Sequence, residues 1–225
     1  MRFKDVFSII GPAMTGPSSS HTAGAVKLGR IARQWLGEQP VEAKMTLYGS
    51  FADTYQGHGT DLALISGLMD MATDDPRIPD AEEWAEKLGM QYEIVTSGLP
   101  AAHPNTVKFE LKVNDQSCSM MGASIGGGSV VVSHLNDFRV QLTGDFPALV
   151  LRHIDKAGVI ASVTSIISES GVNIGFMQVD RKAREGEALT AMELDTVPCP
   201  EVLTKLIQLP NILDCKVIDL KKGLI

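Results

Sequence analysis

The chain has 225 residues, 44% apolar and 21% charged, with a formal net charge of −7 at neutral pH. Such a composition excludes a disordered chain, and the acidic balance is opposite to that of most nucleic-acid binders. Apolar runs such as Val130-Val131-Val132 fall far short of the ~20 residues of a membrane span, Met1-Arg2-Phe3-Lys4-Asp5-Val6 does not read as a secretory signal, and Cys118, Cys199 and Cys215 lack close pairing, so a soluble cytoplasmic protein without membrane or nucleic-acid partners is expected.

Residues 7–10 form a short apolar run, and 11–20 read as a loop. Ala25, Leu28, Ala32 and Trp35 then recur at helical spacing, with Lys27, Arg30 and Arg33 expected on a solvated face. Residues 43–48 predict a strand. A second helix is expected to start at Gly57-His58-Gly59-Thr60, with Leu62, Ile65, Leu68 and Ala72 inward. Asp80 and Glu83 suggest a capping box for a third helix. Beyond Gly89 the pattern turns to strands, over 92–96, 106–113, 117–121, 129–133 and 138–142, with a hairpin turn at Asn114-Asp115.

A boundary near Leu142-Thr143-Gly144-Asp145-Phe146-Pro147 separates an α+β domain, 1–145, from a second domain, 146–225. The second reads as strand (148–153), turn (155–158), helix from Val159 to a stop at Gly171, strand (173–180), hairpin, strand (188–194), helix from Pro198 and Pro200 to Pro210, and strand (212–220). Val202, Leu203, Leu206 and Ile207 share one face of its last helix. The order β-α-β-β-α-β is the ferredoxin-like split unit. The fold class is therefore α+β in both parts.

Ser18-Ser19-Ser20-His21-Thr22 stands before the first helix. Hydroxyls and free N–H groups at such a position suit a carboxylate or phosphate, although simple capping uses the same residue types. Gly57-His58-Gly59-Thr60-Asp61 places a second histidine where a helix start would keep it neutral and able to accept a proton. On its residues alone, Ser124-Ile125-Gly126-Gly127-Gly128-Ser129 is a turn between strands, without dinucleotide-binding spacing. His103-Pro104-Asn105-Thr106 reads as a surface loop, and His134 and His153 as structural histidines. The cysteines show no metal-ligand spacing.

Pro17-Ser18-Ser19-Ser20-His21-Thr22, Gly57-His58-Gly59-Thr60-Asp61 and Ser124-Ile125-Gly126-Gly127-Gly128, in that order, resemble the beta subunit of the iron–sulfur-dependent L-serine dehydratases. The tail resembles an ACT domain, a small amino-acid-binding module. The first domain resembles the allosteric-substrate-binding fold, also found in some D-3-phosphoglycerate dehydrogenases, which need a nucleotide-binding domain not seen here. The resemblance implies conversion of L-serine to pyruvate and ammonia. It further implies a 4Fe–4S cluster, ligated by the alpha subunit, whose open iron acts as a Lewis acid on the substrate hydroxyl. In that setting His58 is the expected base, and His21 assists it or orients the substrate. Ser18, Ser19, Ser20, Thr22, Thr60, Asp61, His103, Asn105, Gly126, Gly127 and Gly128 are expected around the substrate. Asp155, Gly158, Asn173 and Ile174 match effector positions of the ACT module, which implies self-association through that domain. A purely regulatory subunit and a free-standing serine sensor remain alternatives at this point.

Overall fold

The computed structural model describes residues 12–221. The apolar run at 7–10 lies outside them. Ser18 opens a single π-turn, Ser19–Ala23, that runs directly into α1, Gly24–Leu36. β1, Glu42–Tyr48, is followed by α2, Ser50–His58, and α3, Thr60–Leu68. A 3₁₀ turn, Ile78–Asp80, leads into α4, Ala81–Lys87, and then β2, Gln91–Ser97. β3 (Thr106–Val113), β4 (Gln116–Gly126), β5 (Ser129–Leu135) and β6 (Phe138–Leu142) follow as a meander. The six strands form one sheet in the order β2-β1-β3-β4-β5-β6, with only β1 and β2 parallel.

Alternation along these strands fixes which face meets the helices. Ala43, Met45 and Leu47 of β1 and Val107, Phe109 and Leu111 of β3 enter the core, while Glu42, Lys44, Glu110 and Lys112 form ion pairs on the outer face. On the core side α1 crosses α3 at two glycines. A Cβ on Gly67 would collide with the Val26 carbonyl, and one on Gly29 would lie 2.6 Å from the Leu64 carbonyl. Only hydrogen at both positions allows this approach.

The second sheet holds β7 (Ala148–Ile154), β8 (Ile174–Arg181), β9 (Glu187–Leu194) and β10 (Ile212–Ile218), in the order β10-β7-β9-β8. With α5 (Val159–Glu169) and α6 (Pro200–Ile207) this is the βαββαβ unit. One face packs under the two helices through Leu149, Leu151, Met192 and Leu194. The other face, with Val150, Leu189, Ala191 and Ile218, joins the core of the first sheet. Glu193 accepts from the Thr143 N–H at 2.7 Å and its hydroxyl at 2.8 Å, and Lys216 Nζ donates to the carbonyls of Trp35 and Leu36 at 2.7 and 2.9 Å.

Several expectations are corrected. Residues 50–58 form a helix that the sequence reading leaves out, so His58 closes α2 and does not open α3. Asp80 makes no capping bond, because a 3₁₀ turn already precedes α4. Ala72 lies beyond the end of α3, and Ile207 is exposed because α6 buries only Val202 and Leu206. The Lys27, Arg30, Arg33 series is not a solvated face. Arg30 is buried, with Nε 2.9 Å from Asp70 and Nη1 donating to the Leu220 carbonyl, and Lys27 and Arg33 are half-buried.

Candidate active site

The π-turn and the end of α2 bring the two histidines together. Their ring centroids lie 4.8 Å apart at an interplanar angle of 35°. Ser18 is extended and accepts from the His21 N–H at 3.3 Å, which holds His21 in the first turn ahead of α1. Gly49, at a φ of +54°, lets the chain enter α2 against Pro104, whose carbonyl would lie 2.7 Å from any Cβ there. Gly59, at a φ of +64°, breaks α2 from α3 directly after His58.

His21 is half-buried, and Phe51 meets its ring edge-on at 5.3 Å. Its Nδ1 lies 3.2 Å from Ser20 Oγ and 3.4 Å from Ser18 Oγ. Its Nε2 lies 3.2 Å from Thr54 Oγ1 and 3.4 Å from Ser50 Oγ. Burial, then the neighbouring His58, holds the His21 pKa below its ordinary value, against a smaller raising effect of the Ser50 main chain. A neutral imidazole at neutral pH follows. His58 is exposed, and its Nδ1 lies 3.3 Å from the Thr54 carbonyl. The helix-start argument for its neutrality does not apply at the last residue of α2. What the arrangement offers is a basic ring open to solvent, backed by a second ring fixed among four hydroxyls.

The other expected residues differ in burial and in the contacts they make. Ser19 is half-buried in the π-turn. Thr22 and Thr60 are 2% and 0% exposed, and their hydroxyls have no hydrogen-bond partner among the described residues. The His103–Asn105 loop ties the site together from behind. Asn105 donates its N–H to His103 Nδ1 at 3.1 Å, Phe51 N–H donates to the Pro104 carbonyl at 3.3 Å, and Ser124 N–H donates to the Asn105 carbonyl at 3.0 Å. Gly126, Gly127 and Gly128 all have positive φ, and Gly128 backs onto Ala23 of the π-turn. Asp61 instead lies toward Glu82 and Tyr92. Burial chiefly raises its pKa, Glu82 adds to this, and N–H groups including that of Leu62 oppose it. Ser50 and Thr54 touch His21 and were not anticipated. The i, i+4 pair Phe51 and Tyr55 was the available signal for the helix that carries them.

In the second unit, Asp155 pairs with Arg181 at 2.9 Å, and Gly158, at a φ of +90°, precedes α5. Asn173 donates to Asp195 at 3.0 Å, and Ile174 opens β8. The register sets these two groups at opposite ends of the sheet, since Ile154 pairs with Glu187 and Ile174 with Leu194. Over seven residues that is a separation of about 20 Å. One small ligand therefore reaches both groups only if they come from two copies of the chain. His153 is buried and satisfied by the Thr190 hydroxyl at 2.8 Å.

The three cysteines are free. Burial pushes the Cys118 thiol up to about 12 and the Cys215 thiol up to about 11. Among the described residues no three His, Cys, Asp or Glu side chains converge on a metal position. The donors among the described residues do not fit a 4Fe–4S cluster. Among the described residues no helix is long and apolar enough to cross a membrane.

A probable L-serine dehydratase beta chain of Bacillus subtilis is 43% identical over 213 residues, covering 95% of this chain and 97% of that protein. The chain belongs to the L-serine dehydratase beta-chain family. The L-serine dehydratase beta chain of Peptoniphilus asaccharolyticus is 34% identical over 84% of this chain and 86% of its own length. Residues 3–99 match the serine dehydratase beta chain family, a stretch that holds both histidines, Ser50 and Thr54 of this beta chain. Among solved structures, the ACT domain of the GTP pyrophosphokinase of Chlorobium tepidum aligns with 32% of the chain and 96% of its own, at 18% identity and a TM-score of 0.27.

Proposed function

We propose that this beta chain completes the active site of an L-serine ammonia-lyase by presenting His58 and His21 to serine at the contact with an alpha subunit. The observation that carries the proposal is the 4.8 Å approach of two imidazoles that lie 37 positions apart in the chain, one exposed and one held neutral. In the reaction the α-proton and the β-hydroxyl of serine leave as water, and the resulting aminoacrylate hydrolyses to pyruvate and ammonia. His58, the exposed ring, takes the α-proton. His21 orients it, and of the Ser18 and Ser20 hydroxyls the one that does not donate to His21 offers its proton to the substrate carboxylate. The 4Fe–4S cluster is assigned to the alpha subunit, because the described residues bring together no ligand set for it. Free cysteines suit a reducing cytoplasm. The second unit is read as an ACT domain that self-associates. Its sheet face opposite α5 and α6 is already filled by the first core, so pairing would use a strand edge or the helical face.

The test is serine turnover by the alpha chain with and without this chain. Pyruvate should form only when both are present. Full turnover by the alpha chain alone would leave this chain a regulatory role.

A further inference from the structure

Thr54 lies between the two imidazoles and touches both. Its hydroxyl donates to the Ser50 carbonyl at 2.7 Å, and the same oxygen lies 3.2 Å from His21 Nε2. Its main-chain carbonyl lies 3.3 Å from His58 Nδ1. A hydroxyl has one proton, and here the Ser50 carbonyl takes it. Toward His21 the Thr54 oxygen can therefore only accept, so its 3.2 Å contact requires the proton of a neutral His21 on Nε2, where the Ser50 hydroxyl at 3.4 Å is a second, longer contact that can accept as well. That leaves His21 Nδ1 bare, facing the Ser20 and Ser18 hydroxyls at 3.2 and 3.4 Å. A carbonyl also only accepts, so neutral His58 carries its proton on Nδ1 and keeps Nε2 as the free basic nitrogen.

We propose that Thr54 is the positioning residue of this site, fixing His21 in its Nε2–H form through the side chain and His58 in its Nδ1–H form through the main chain. The inference rests on the catalytic reading given above only in what it means for turnover. The assignment of the protons stands on geometry alone. Four residues separate Thr54 from His58, so the imidazole reaches back over the preceding turn of α2 to the Thr54 carbonyl.

Thr54→Val removes the hydroxyl, keeps the shape and leaves the carbonyl in place. Thr54→Ser keeps the hydroxyl. Nitrogen NMR of the intact chain with labelled histidine, at a pH where both rings are neutral, reads each tautomer directly. In the unaltered chain His21 should be the Nε2–H form and His58 the Nδ1–H form. In Thr54→Val His21 should become a mixture of tautomers while His58 stays as it was, a selectivity that general loosening of the helix would not produce. Thr54→Ser should restore His21. In the complex with the alpha chain, Thr54→Val should lower kcat by at least about tenfold with little change in KM, and Thr54→Ser should recover most of it. An Nδ1–H form of His21 in the unaltered chain, or an unmixed Nε2–H form in Thr54→Val, overturns the proposal. A mixed His21 tautomer with unchanged turnover keeps Thr54 as the positioning residue and removes His21 from the chemistry instead.

Discussion

At the scale of the residue, the site is defined by what surrounds His21. Burial and the adjacent His58 keep its pKa below the ordinary 6.5. The unfolded chain therefore binds this proton more readily than the folded one. The stability contributed at this position is complete above about 6.5, and it is lost as the pH falls through that value toward the lower folded one. His21→Gln should thus flatten the decline in the urea midpoint between about pH 7.5 and about pH 5.5. An unaltered decline would contradict the assigned environment. Both histidines were legible in the sequence, because serines and glycines crowd around them in a way that a core does not require. Ser50 and Thr54 were not. A hydroxyl in mid-helix carries no sign of its partner, and here the partner lies about 30 positions away in the chain.

At the scale of the element, two helix encounters place the rings. α1 carries the π-turn and His21, and α3 follows His58 after one glycine. Their crossing is set by Gly29 and Gly67. Gly67→Ala would force the helices apart, at a cost on the order of 1–3 kcal/mol, read as a lowered urea midpoint with a matching loss of activity. Gly57→Ala has open space around its new methyl, and replacing a glycine in the last turn of α2 should leave stability unchanged or raise it by up to about 0.5–1 kcal/mol. Equal behaviour of the two variants would contradict the packing described. Strands β3 and β6 were readable to the residue because one face of each is apolar and the other polar. α2 escaped because Gly49 and Gly57 to Gly59 look like turn signals on both sides of it, and only Phe51 and Tyr55 show its period. Missing α2 also led to the wrong end of a helix being assigned to His58.

At the scale of the whole molecule, the two sheets share one core. The order of the βαββαβ unit was legible from its alternating periods and turn residues. Its burial against the first sheet was not anticipated, although a signal existed. Residues 148–151 and 188–192 run without the polar alternation of a sheet with one wet face, because both faces are covered. Thr143 on Glu193 and Lys216 at the end of α1 close the same contact. The intact chain should therefore unfold in one transition by heat or urea, with far-ultraviolet dichroism and tryptophan fluorescence coincident. Two separate transitions would show that the sheets are independent.

His58 carries the central chemical role. Steady-state serine turnover by the alpha and beta chains together, with His58→Ala in the beta chain, should show kcat reduced by about 10²–10⁴-fold while the complex still assembles. Turnover within a few fold of the unaltered complex would contradict a base at this position.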